Sequence, residues 1–100
     1  MSKTVIVRYR THPEAAEENA RLVEGVFTSL AEVDPGELKY TTYRLADGVT
    51  FVHVAHLFGT ENPLATLPAF VEFQRELPQR CVEPPASSEA TVVGSYRKSS

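Results

Sequence analysis

His53, Arg8 and Arg44 are the residues of this sequence best suited to chemistry. An imidazole exchanges a proton near neutral pH, and a guanidinium beside it stabilises an oxyanion or a bound carboxylate. His53 sits in the run VTFVHVAHLF, and strand alternation places Tyr40, Thr42, Arg44 and Phe51 on its side of the sheet. His53 and Arg8 are therefore the candidate catalytic residues, and Arg44, Tyr40, Thr42 and Phe51 the candidate substrate-binding residues. The structural alternative is an imidazole hydrogen-bonded in an interface, with both arginines paired to carboxylates.

The other reactive groups offer less. His56 points to the opposite strand face from His53 and reads as structural, and His12, ahead of Pro13, sits at a helix start in solvent. One metal shared by all three histidines would need a loop and two opposite faces to converge, so no metal site is expected. Cys81 is the sole cysteine, which excludes an intramolecular disulfide; no cysteine or histidine stands near it to make a zinc site or a nucleophile. Tyr9, Tyr40, Tyr43 and Tyr96 are phenolic donors that in strands read as packing residues with wet hydroxyls. There is no glycine-rich phosphate loop, HExxH, EF-hand loop or GxSxG, and no cofactor is expected.

Composition narrows the partners. The 100 residues make a single domain, 1–100, with one core, and 13 acidic against 10 basic side chains give a net charge of −3. That field attracts neither nucleic acid nor an anionic membrane. No apolar run approaches the roughly 20 residues that span a bilayer, and MSKTVIVRYR lacks a signal-peptide core, so a soluble, cytoplasmic chain is expected.

Six elements must position these side chains. Thr4 to Arg10 alternates as a strand, with Val5, Val7 and Tyr9 on one side. THPE then reads as a capping box, Thr11 with Glu14, opening a helix from Pro13 to about Val33 whose Ala16, Ala20, Val23, Phe27 and Leu30 share one face. Asp34-Pro35-Gly36 stops it. Leu38 to Leu45 and Thr50 to Phe58 form a hairpin, with Asp47-Gly48 predicting a two-residue type I′ loop. Leu67, Phe70, Val71, Gln74 and Leu77 return to helical spacing, with Pro68 near the start and Pro78 as kink or end; Phe70 reads as core, and Phe73 as a possible roof over a pocket. Pro84 and Pro85 predict a surface connection over Val82 to Ser88, leaving Ala90 to Arg97 as the last strand.

This β-α-β-β-α-β order is the ferredoxin-like split βαβ: a four-stranded antiparallel sheet with both helices on one face. Hairpin pairing puts Leu38, Tyr40, Thr42, Arg44, Phe51, His53, Ala55 and Leu57 on one face. The other holds Tyr43, Leu45, Val52 and Val54, the better surface for helices. The expectation is that His53 lies on the open face beside Ile6, Arg8 and Arg10, since the first strand sits next to the third. An open face so apolar calls for a second copy, and two sheets closing face to face would enclose a cavity.

Across essentially its whole length the chain resembles the dimeric α/β-barrel superfamily, and within it the antibiotic biosynthesis monooxygenase-like family. The resemblance rests on VIVRYR entering a helix, the hairpin ending in VTFVHVAHLF, NPLATLPAFVEFQREL and the final TVVGSYR. It implies a homodimeric barrel, each subunit with its own pocket, and a cofactor-independent monooxygenase acting on an aromatic or polycyclic small molecule. A non-catalytic dimeric binding or stress-response module and a lactone isomerase-like enzyme are the alternatives. The haem-degrading members use an asparagine, a tryptophan and a histidine at the second helix; this chain has no tryptophan, and no histidine between Asn62 and Arg80, which disfavours that activity.

Overall fold

The computed structural model of the chain describes residues 2–97. Strands β1 (Lys3–Thr11), β2 (Leu38–Arg44), β3 (Thr50–Leu57) and β4 (Cys81–Ala90) form an antiparallel sheet in the order β2-β3-β1-β4. Helices α1 (Ala16–Val33), α2 (Pro68–Arg75) and the one-turn α3 (Leu77–Arg80) cover one face, with 3-10 turns at Pro13–Ala15 and Pro63–Thr66 leading into α1 and α2. This is the expected ferredoxin-like arrangement. The second helical segment breaks at Glu76, two residues before Pro78.

The core lies between sheet and helices, built on Tyr9, Val23, Val26, Phe51, Leu64, Leu67, Phe73 and Leu77. Its helical share comes from the apolar face of α1, where Ala16, Val23 and Val26 are buried. α1 ends at Asp34, which adopts a left-handed φ of 49° while its N–H still reaches the Leu30 carbonyl. Thr11 makes no capping box with Glu14. It remains a buried β1 residue whose hydroxyl donates to the Val49 carbonyl, so the cap position passes to His12 and no side chain caps the turn.

The hairpin pairs in the predicted register, Tyr40 with Ala55, Thr42 with His53 and Arg44 with Phe51. Its turn differs. The Gly48 N–H donates to the Leu45 carbonyl, and of Asp47 and Gly48 only Gly48 has a positive φ, 80°, which excludes type I′. The Asp47 carboxylate instead accepts from the Val49 and Thr50 N–H groups and the Thr50 hydroxyl.

The larger correction concerns the hairpin's faces, which are exchanged relative to the expectation. Val7 pairs with His53 and Tyr9 with Phe51, and cross-strand partners share a face. Because the Val5, Val7 and Tyr9 side of β1 meets the helices, Phe51, His53 and Leu57 must meet them too. Tyr43, left on the open face, is 54% exposed. Counting apolar residues within the hairpin misassigned the faces because the choice is made by its register against β1, where the Tyr9 and Phe51 rings stack at 5.6 Å.

The last strand also comes earlier than expected. The His12 N–H donates to the Arg80 carbonyl, which sets Cys81 directly beside Thr11 and leaves no slack for a connection. Val82 to Ser88 is therefore strand, and Ala90 ends it. Prolines are tolerated because β4 is an edge strand, and Pro84 and Pro85 fall where the pairing shifts register between Arg8 and Arg10. The segment 91–97 has no regular structure, and Val92, Val93 and Tyr96 are exposed.

Candidate functional site

His53 reaches the helix-facing side of the sheet from the middle of β3, 5% exposed. The rings of Tyr9, Tyr40 and Phe73 surround it at 5.3, 5.8 and 5.5 Å. Its Nε2 lies 2.8 Å from the Tyr9 hydroxyl, and its Nδ1 lies 2.5 Å from the Tyr40 hydroxyl and 3.1 Å from that of Thr42. Burial lowers the imidazole pKa from 6.5 to about 4, so the ring is neutral at physiological pH. Burial likewise pushes the Tyr40 phenol up to about 12 and that of Tyr9 higher still, against the opposing pull of hydrogen bonds from Thr42 and Asn19 respectively. Both phenols therefore keep their protons. Both hydroxyls are hydrogen-bonded inside the protein, whereas Tyr43 and Tyr96 are exposed.

A cavity of about 320 Å³ opens beside this cluster. Its polar lining is Tyr9, Tyr40 and His53 together with Asn62, Gln74 and Ser87, and Phe70, Phe73 and Leu64 make much of its apolar wall. Among the described residues its lining includes no Asp, Glu, Lys or Arg. A larger groove of about 450 Å³ runs between the loop after α1 and the start of α2, edged by Glu37 and Glu61. Its lining among the described residues holds no aromatic ring and no imidazole, so the His53 cavity is the better candidate.

The structure brings together only some of the candidate residues. His53, Tyr40 and Thr42 are joined by hydrogen bonds, and Phe51 stacks behind them on Tyr9. Arg8 pairs with Val52 and is exposed on the opposite face, so it is not a neighbour of His53 within this chain. Arg44 shares the His53 face but stands at the sheet's end, where it donates to the Gly48 carbonyl, pairs with Glu17 at 3.0 Å and lies over the Phe51 ring. With Thr42 and Phe51 it edges a separate shallow groove against α1.

Two site residues were not anticipated. Asn19 is fully buried on α1 and donates to the Tyr9 hydroxyl at 2.9 Å. Arg80, 6% exposed, donates from Nε to Asn19 Oδ1 at 3.0 Å and from Nη2 to the Phe73 carbonyl at 2.8 Å. Helical spacing carried a signal for the first, since Asn19 falls on the face of Ala16, Val23 and Val26 and a polar residue there needs a buried partner. Nothing local marks Arg80. Among the described residues no three His, Cys, Asp or Glu side chains cluster as a metal site, and no helix is long and apolar enough to cross a membrane.

No protein-family model and no curated protein matches the sequence. Solved structures do match. Rv0793 of Mycobacterium tuberculosis is 16% identical, with a TM-score of 0.77 over 97% of this chain and 100% of that one. A protein of Bacteriodes thetaiotaomicron, provisionally named an antibiotic biosynthesis monooxygenase, is 13% identical with a TM-score of 0.80 over 99% of this chain and 96% of that one. The chain has the antibiotic biosynthesis monooxygenase-like fold. SnoaB of Streptomyces nogalater, described as a cofactor-independent oxygenase, shares this fold at 19% identity and a TM-score of 0.71, over 97% of this chain and 98% of its own. Within the antibiotic biosynthesis monooxygenase-like fold, the His53 cavity lies between the sheet and the helices.

Proposed function

We propose that the chain acts as a homodimer that binds an uncharged aromatic or polycyclic molecule in the His53 cavity and oxidises it as a cofactor-independent monooxygenase. The observation that carries this reading is the cavity itself: the Phe70 and Phe73 rings in its wall, an uncharged lining, and one neutral imidazole and two protonated phenols set together among its polar groups. Its volume suits a small ring system. In such a reaction an electron-rich ring gives up a proton, dioxygen adds to the resulting carbanion, and the peroxide loses water to leave a new carbonyl. His53 and Tyr40 are the groups placed to handle those protons. The shared fold of SnoaB supports the reading.

Self-association is supported by the open sheet face, on which Tyr43 is exposed, and by the further exposed apolar side chains Phe58, Val92, Val93 and Tyr96. A monomer by light scattering at micromolar concentration contradicts the dimer. For the activity, oxygen uptake is measured with a panel of hydroquinones and anthrones. Uptake that falls in His53→Ala supports the oxygenase, and uptake unchanged in that variant removes His53 from the mechanism.

One observation favours a second reading, a dimeric binding module without catalysis. Both His53 ring nitrogens are already engaged by protein hydroxyls, and an imidazole with a pKa of about 4 is a weak base. Tight binding of an aromatic ligand with no oxygen consumed selects this alternative.

A further inference from the structure

The polar atoms behind the cavity form one chain, and its far end can only donate. Arg80 has five N–H donors and no acceptor, so the Asn19 amide must turn its oxygen toward Arg80 Nε. The Asn19 NH2 group then faces Tyr9 and donates to the phenolic oxygen. With its oxygen accepting there, Tyr9 needs an acceptor for its own proton. Among the described residues the one polar atom available is His53 Nε2, at 2.8 Å. The reverse tautomer would leave a buried O–H without an acceptor, at a cost of about 1–3 kcal/mol. A neutral imidazole that accepts at Nε2 carries its proton on Nδ1. That N–H donates to the Tyr40 oxygen, with the Thr42 hydroxyl as its more distant partner. The Tyr40 proton is the last donor in the chain, and Tyr40 lines the cavity.

We propose that Arg80 and Asn19 are positioning residues that hold His53 in its Nδ1–H tautomer, so that the cavity offers its ligand the Tyr40 O–H and takes an acceptor oxygen, such as the carbonyl of a neutral ring. The ligand half of this proposal rests on the His53 cavity being the binding site; the tautomer half rests on protein atoms alone. An Arg80–Asn19 pair that only filled space would leave the imidazole tautomer indifferent to the chemistry at position 19.

Long-range proton–nitrogen NMR of the nitrogen-15-labelled full chain reads the tautomer directly. The expected spectrum has His53 Nδ1 in the protonated range and Nε2 in the unprotonated range; the opposite assignment overturns the proposal. Asn19→Asp keeps the side chain's size and can still pair with Arg80, but it offers Tyr9 an acceptor instead of a donor. The Tyr9 proton should then turn to position 19 and His53 should move its proton to Nε2, exchanging the two shifts; an unchanged pattern in the folded variant overturns the role of Asn19. Should Asn19→Asp fail to fold, Tyr9→Phe serves, with averaged shifts from two mixed tautomers as the expected result and a retained single tautomer as the refuting one. For the ligand half, binding of 9-fluorenone is compared with that of fluorene. The carbonyl compound should bind about five- to tenfold tighter, and Tyr40→Phe should erase that difference. Equal affinities in the wild type, or equal losses in the variant, overturn it. Failure of both probes to bind, with the tautomer as expected, counts against the binding-site reading and leaves the tautomer standing.

Discussion

His53 should make this protein sensitive to mild acid, and the size of the effect follows from its surroundings. In the unfolded chain the imidazole takes up a proton near its ordinary 6.5, whereas among the Tyr9, Tyr40 and Phe73 rings it resists until about 4. Between those values the unfolded state binds more protons, so stability falls as the pH falls. The contribution is complete above about 6.5 and is lost as the pH drops through about 4. At about 1.4 kcal/mol per pH unit the gap amounts to about 3 kcal/mol, of which about 2 kcal/mol disappears between about pH 7 and about pH 5. Asp47 does not interfere, because its hydrogen bonds to Thr50 and Val49 hold that carboxyl down to about 2. Urea unfolding of the wild type and of His53→Gln at several pH values in this window is the assay. The wild type should lose about 2 kcal/mol more than the variant on acidification. Parallel pH curves would refute the reasoning, since they would mean that the folded imidazole charges as readily as the unfolded one.

Three further outcomes follow from the same packing. Phe73→Ala removes a ring that touches Tyr9, His53, Phe70 and Arg80, and should cost about 3–5 kcal/mol by urea denaturation. Asp47→Ala removes the acceptor for the Val49 and Thr50 donors and should lower the urea midpoint at neutral pH. Since the folded carboxyl is held below its ordinary 3.8, that deficit should shrink as the pH falls through about 2 and the wild type loses the same interaction. Gly48→Ala places a Cβ on a backbone with a φ of 80° and should cost about 1 kcal/mol in thermal or urea unfolding, with no effect on the spectrum of His53.

The open sheet face and the cavity divide the functional questions between them. The first governs whether a second copy binds, and the second governs what small molecule does. Arg8 belongs to the first question, for within this chain it lies across the sheet from His53. Any contact between Arg8 and a ligand would have to come from the open face. Arg44, tied to Glu17 and to the Gly48 carbonyl, is engaged in holding the hairpin end against α1.

Local pattern was enough to read the element order, the ferredoxin-like topology and the hairpin register. Each depends on neighbours close in sequence: alternation along VIVRY, the apolar spacing of α1 and the turn residues around Asp47-Gly48. Which face of the hairpin meets the helices depends instead on the pairing of Val7 with His53 and Tyr9 with Phe51, contacts between segments more than forty residues apart. The same is true of β4, whose start is set when the Arg80 carbonyl meets the His12 N–H. The site is the extreme case. Arg80, Asn19, Tyr9, His53 and Tyr40 come from four elements and the short helix before β4, and no spacing rule joins them. Sequence determined that this chain would carry a histidine in an antiparallel sheet; only tertiary packing decided that the ring would be dry, neutral and held between two phenols, because desolvation and hydrogen-bond direction are properties of the assembled core.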